Sequence, residues 1–242
     1  MNKQVLLTSN NAKTLKGEKK GYKTFILYMS PFTQNIKGTN LCSHASNGCA
    51  NACLFGSGRG GMFTKIEQAR VNKTNFFVTE RQLFLERMVS EITKHIKKYG
   101  DTLAIRMNGT SDVVWEKLKV NVFGKSIIEL FPNVQFYDYT KNHIRYKKYL
   151  NNQLPSNYHL TFSRSEINDD IAMEILSKGG NVAMVFNKIP TKYKGYKVIN
   201  GDENDLRFID DNNVIVGLKY KLLTKKGSDN KLAYESNFAI EI

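Results

Sequence analysis

The chain has 242 residues, 41% hydrophobic and 24% charged, and its 36 Lys+Arg against 22 Asp+Glu give a formal charge of +14. That length buries a core without staples, and no apolar run approaches the roughly 20 residues that span a bilayer. The first twenty residues, MNKQVLLTSNNAKTLKGEKK, lack a hydrophobic stretch of signal-peptide length, so a cytoplasmic location is expected.

Apolar, β-branched runs alternate with helical patterns along the chain. Residues 1–22 form a loosely structured N-terminal extension in this reading, and 23–242 a single domain. Thr24–Met29 (TFILYM) is a strand, followed by a long glycine-rich loop from Ser30 to about Met62. Residues 64–74 form a short helix. Thr79 is placed as the N-cap of a long helix over Glu80–Tyr99, with Leu83, Phe84, Met88, Ile92 and Ile96 on its apolar face. Gly100 stops that helix. Thr102–Met107 is a strand, Val122–Leu130 a helix, Val134–Asp138 a strand and Asn142–Leu150 a helix. Tyr158–Phe162 is a strand, and Asn168–Lys178 a helix stopped by Gly179 and Gly180. Asn181–Phe186, Tyr196–Ile199 and Val214–Leu218 are further strands.

Strands with near-continuous apolar runs, separated by helices, specify an α/β fold with a parallel sheet covered on both faces. About six or seven such units suit a (β/α) barrel, complete or partial. No G-x-G-x-x-G follows a strand and opens a helix, and the stretch FGSGRGG follows a cysteine rather than a strand.

The polar residues gather where strands end. One strand closes in Arg106, Asn108, Ser111 and Asp112, the next in Tyr137, Asp138 and Lys141, another in Ser163, Arg164 and Glu166, and later ones in Asn187 and Asp202. In parallel barrels these ends share one mouth, so a common pocket is expected. Ser111, Asp112, Thr140 and Ser165 serve equally well as caps of the next helix. A guanidinium at such a mouth calls for an anion, which singles out Arg106 and Arg164.

All three cysteines fall within one short segment, Cys42-Ser-His44-Ala-Ser-Asn-Gly-Cys49-Ala-Asn-Ala-Cys53. Three is too few for a disulfide scaffold. Thiolates are soft ligands suited to an iron–sulfur cluster or to zinc. Three of them hold three irons of a cubane cluster and leave the fourth open. A structural zinc wants four protein ligands, and His44 would be the fourth. Iron–sulfur cluster, zinc and unmetallated thiols all remain open here.

The cysteine triad on the loop after a first strand resembles the radical S-adenosylmethionine (SAM) superfamily, although that superfamily's usual spacing is C-x-x-x-C-x-x-C. The resemblance implies a [4Fe–4S] cluster on Cys42, Cys49 and Cys53, with SAM on the open iron. It places Asn108, Ser111, Tyr137 and Ser163 as cofactor-binding residues, and Arg106, Asn108, Asp112, Asp138, Lys141 and Arg164 as catalytic ones. The stretches LCSHASNGCANACLFGSGRGG, RMNGTSD, FPNVQFYDYTK and NYHLTFSRSE resemble recurring segments of a bacteriophage family, the mycobacteriophage gene-product type. That likeness implies a phage origin, a shared fold and the host cytoplasm.

Three functions are compatible with these features. The first is a radical SAM-like enzyme acting on a nucleic acid, a nucleotide or another phosphate-bearing substrate. The second is a nucleic-acid-binding protein with a structural metal, drawing on the lysine-rich runs 13–23, 94–98, 141–148, 188–197 and 219–226 and on Tyr137, Tyr139, Tyr146 and Tyr149 as stacking surfaces. The third is a Mg²⁺-dependent hydrolase or nuclease using Asp112, Asp138, Glu166 and Asp202.

Overall fold

The computed structural model describes residues 5–9, 11–224 and 228–242. In chain order they form β1 (Leu7–Thr8), α1 (Ala12–Glu18), β2 (Lys23–Leu27), α2 (Asn47–Asn51), α3 (Gly58–Met62), α4 (Thr64–Thr79) and α5 (Arg81–Tyr99). There follow β3 (Leu103–Arg106), β4 (Lys119–Val120), β5 (Lys125–Ser126), α6 (Ile127–Leu130), β6 (Gln135–Thr140), α7 (His143–Leu150) and β7 (Tyr158–Ser163). The last elements are α8 (Asp169–Ser177), β8 (Val182–Phe186), β9 (Lys192–Tyr193), β10 (Tyr196–Asn200), β11 (Ile215–Lys219), α9 (Leu232–Glu235) and β12 (Ala239–Ile240). Two compact units result: residues 1–43, 68–138 and 151–159, and residues 44–67, 139–150 and 160–242. β6 and β7 each begin in the first and end in the second.

In the first unit the strand order is β1-β2-β3-β6. β2, β3 and β6 are parallel, with Phe25 opposite Ile105 and Ile105 opposite Phe136. Every residue of β3 is buried, which is why LAIR shows no alternation. The expectation of a loose N-terminus fails here. β1 is antiparallel to β2, Leu7 opposite Leu27, and Leu6 and Leu7 are buried. Glu91 of α5 accepts both the Leu6 and Leu7 N–H groups at 3.0 Å, and Lys73 of α4 donates to the Leu6 carbonyl at 2.8 Å.

Two helix expectations are corrected in the same unit. Thr79 is the last residue of α4, where its hydroxyl bonds back to the Asn75 carbonyl. Glu80 is the residue that breaks between the helices, so the first helix runs five residues longer than its apolar pattern suggested. The buried stripe of α5 is Phe84, Leu85, Met88 and Ile92, and Leu83 is exposed. Val122–Leu130 is a helix only from Ile127. Before it, β4 and β5 form a hairpin that turns through Gly124 at φ 63°, a left-handed conformation that glycine adopts without steric cost. Ser126 then starts α6 with a capping box to Glu129.

In the second unit the order is β7-β8-β11-β10-β9. β7, β8, β11 and β10 are parallel, and β9 joins β10 antiparallel across the left-handed pair Lys194 and Gly195. β7 pairs with β8 only as far as Ser163 opposite Ala183. Beyond that point the C-terminal strand β12 takes over the same edge, Ala239 opposite Val185 and Ile240 opposite Phe186. The tail is therefore part of the sheet. The expected lysine-rich run at 219–226 ends in residues 225–227, which lie outside the described residues. The α/β class with a mostly parallel sheet stands. Neither strand path, taken within its own unit, closes into a barrel.

Burial lowers the Lys73 ammonium to about 8. The folded chain then binds fewer protons than the unfolded one between about pH 8 and the ordinary lysine value of 10.5, so this group's contribution to stability rises with pH across that window. Urea unfolding of wild type and Lys73→Met at pH 7.5 and pH 10 should show wild type gaining on the variant at the higher pH.

Candidate functional site

In the first unit the site is built around a carboxylate with no exposed surface. Asp138, near the end of β6, accepts the Asn108 N–H at 2.6 Å, the Asn108 side-chain amide at 3.2 Å and the Tyr158 hydroxyl at 2.6 Å. Asn108 in turn organises the loop after β3. Its Oδ1 accepts the Ser111 hydroxyl at 2.9 Å, the Val113 N–H at 2.9 Å and the Trp115 indole N–H at 3.0 Å. A buried amide and a buried carboxylate require such saturation, because an unmet partner in low dielectric is costly.

The same loop docks on the chain leaving β2. Gly109 N–H bonds the Leu27 carbonyl at 2.9 Å, the Thr110 hydroxyl bonds Met29, and Asp112 N–H bonds the Leu41 carbonyl at 2.8 Å. A Cβ on Gly109 would lie 2.6 Å from the Tyr28 ring, so the contact admits only glycine. Cys42 sits against this loop, its Sγ 3.9 Å from the Thr110 carbonyl, its own N–H held by Asn40 Oδ1 at 2.8 Å. The loop after β3 thus meets the first cysteine through the Thr110 carbonyl. Arg106 and Tyr137, expected to face a ligand, are buried at 5% and 0% exposure.

In the second unit Cys49 lies on α2 and Cys53 just beyond it, one helical turn later. Ser46 caps α2, accepting the Cys49 N–H at 3.2 Å. Glu166, three residues past β7, accepts the Ser46 hydroxyl and the Gly48 N–H, each at 2.7 Å. Cys49 also packs on an apolar cluster of Ala52, Tyr220, Ala233, Phe238 and Ala239. None of the three cysteines is in a disulfide, and all are half-buried.

Lys141 donates to the Ser163 hydroxyl at 2.9 Å. Arg164 donates to Asp169 at 2.9 Å, and to the Asn237 and Phe238 carbonyls at 2.5 and 3.2 Å. The anion this buried guanidinium called for is therefore Asp169, and its Nη1 holds the tail. Lys194 reaches the same carboxylate at 2.6 Å, and together the two cations hold Asp169 below its ordinary value against the opposing effect of burial.

The tyrosines expected to stack on bases divide. Tyr137 and Tyr146 are core residues, and Tyr146 exchanges hydrogen bonds with the Asn181 backbone. Among the described residues no three His, Cys, Asp or Glu side chains are grouped to hold a metal ion. That applies to the four carboxylates of the hydrolase reading too, of which Asp138, Glu166 and Asp202 all accept hydrogen bonds.

The family model described as Gene product 88 matches residues 5–236. The chain belongs to the Gene product 88 family. Membership supports the phage type that the recurring segments suggested, and all four of those segments fall inside the matched range. No curated protein and no solved structure matches the chain.

Ser46 and Tyr158 were missed by sequence reasoning, and Glu166 was read as a metal-binding carboxylate rather than an anchor. A signal for Ser46 was present, because a serine two residues before Gly48-Cys49 is a helix N-cap pattern. Tyr158 had none, since its partner lies on another strand.

Trp115 is the chain's one tryptophan and is buried against Phe77. Asn108→Ala would strand its indole N–H and the Val113 N–H, at a cost of about 2–4 kcal/mol. Urea unfolding should show that loss, with a red shift of the native Trp115 emission as the loop after β3 loosens.

Proposed function

We propose that the segment from Cys42 to Cys53 is a metal–thiolate site, of iron–sulfur type, at the centre of a phage enzyme that acts on a nucleic acid, a nucleotide or another anionic substrate. One observation carries the reading: every cysteine of the chain lies in this segment, half-buried and outside any disulfide. Buried structural cysteines would be shut in the core, and the fold commits none of these to a disulfide. The fit to a cluster is one of donor chemistry, three soft thiolates within one twelve-residue segment. Cys42, Cys49 and Cys53 would hold the cluster. An iron left open by three thiolates would bind a small molecule, SAM in the radical superfamily that the segment resembles.

The chain's own residues would supply the surroundings. Asn108 and Asp138 fix the loop beside Cys42, and Ser46 and Glu166 fix the helix that carries Cys49. Lys141 at the end of β6 offers a cation for an anionic substrate. Anaerobically purified protein should contain about four irons per chain and a broad absorption near 400 nm, both lost in Cys49→Ala. One zinc per chain and no colour would reject the iron–sulfur reading.

The charge of +14 favours a second reading, nucleic-acid binding that does not depend on a cluster. Exposed Lys147 and Lys148 in the last turn of α7 are of the kind that contacts phosphate. Fluorescence anisotropy with a labelled single-stranded oligonucleotide should then show affinity falling steeply between about 50 and 200 mM salt. Affinity indifferent to salt, or no binding at low salt, would reject it.

A further inference from the structure

We infer that Glu166 is the positioning residue of the cysteine segment, a role that rests on that segment being the functional centre. Glu166 leaves β7 and stands 120 residues from Ser46 in sequence. Both its oxygens are used on the loop, one for the Ser46 hydroxyl and one for the Gly48 N–H, at 2.7 Å each. The Ser46 oxygen passes the restraint on by accepting the Cys49 N–H at 3.2 Å. The carboxylate therefore fixes the first turn of α2 to the end of a sheet strand and sets where the Cys49 thiol starts.

Gly48 shows how closely the parts fit. A Cβ there would lie 2.6 Å from the Ser236 hydroxyl and 2.7 Å from Glu166 Oε2. The first turn of α2 is thus clamped between the Glu166 carboxylate and the C-terminal segment, whose Phe238 and Ala239 also belong to the cluster under Cys49. Charge-assisted hydrogen bonds to a carboxylate are about twice as strong as neutral ones, and α2, at five residues, is too short to hold its own geometry. The long-range anchor is what orders it. Glu166 touches no reacting atom in this account. It acts through Ser46, Gly48 and Cys49.

The test reads thiol chemistry in the metal-free chain, so it does not depend on cluster loading. Site-resolved alkylation, followed by mass spectrometry, gives the rate at Cys49 relative to Cys42 within the same molecule. In Glu166→Ala that ratio should rise about tenfold, while Glu166→Gln, which keeps one acceptor oxygen, should restore most of the wild-type ratio. General destabilisation would instead speed both cysteines together. Should Glu166→Ala fail to fold, Ser46→Ala removes the same relay and is expected to raise the same ratio. A ratio within about twofold of wild type in whichever variant folds overturns the inference. A raised ratio in a chain that takes up no iron keeps Glu166 as the anchor and removes the cluster reading alone.

Discussion

Asp138 is a carboxylate without exposed surface, and the first unit is arranged around meeting its needs. An ionised oxygen taken out of water costs several kcal/mol unless hydrogen bonds replace the lost hydration. Asn108 supplies two and Tyr158 a third. Once Asn108 is oriented in this way, its carbonyl oxygen faces the loop after β3 and gathers Ser111, Val113 and Trp115. That loop then has the shape to dock on the chain leaving β2 and to seat Cys42. One buried carboxyl group thus sets the form of the surface against which the first cysteine stands.

The second unit solves a related problem with different groups. β7 and β8 separate after Ser163, which would leave one edge of β8 without partners. The chain's own C-terminus fills that edge as β12, and Arg164 at the fork holds the incoming Asn237 and Phe238 carbonyls. Asn187 completes the closure, its N–H bonding the Ile240 carbonyl and its side chain accepting the Ile242 N–H. An unpaired strand edge is a liability, and a built-in strand removes it. Because the same tail segment also packs under Cys49, the ordering of the sheet edge and of the cysteine helix are parts of one arrangement.

Several polar residues at strand ends tie distant segments together. Arg164, Asp138 and Glu166 each satisfy backbone or side-chain groups from distant parts of the sequence. A strand end in a parallel sheet is where the backbone leaves its ladder, and the freed N–H and C=O groups need partners there whether or not a substrate binds. Functional and architectural polar residues therefore concentrate at the same places. The three cysteines are half-buried and none of them is in a disulfide.

The sequence by itself determined the strands and the clustering of the thiols. LAIR, VAMVF and IVGLK are read as buried strands because a parallel sheet covered on both faces demands continuous apolar runs, a local property of the chain. The gathering of all three cysteines in one segment is likewise a fact of covalent order. Tertiary structure alone decided that Thr79 closes a helix rather than opening one, because Phe76 and Phe77 continue α4 to pack on Phe84. It alone placed the short runs LT and AI in the sheet, since two residues carry no period and gain order only from a neighbouring strand. It alone revealed what Asp138, Arg164 and Glu166 hold, because hydrogen bonds spanning 30, 73 and 120 residues leave no trace in local pattern.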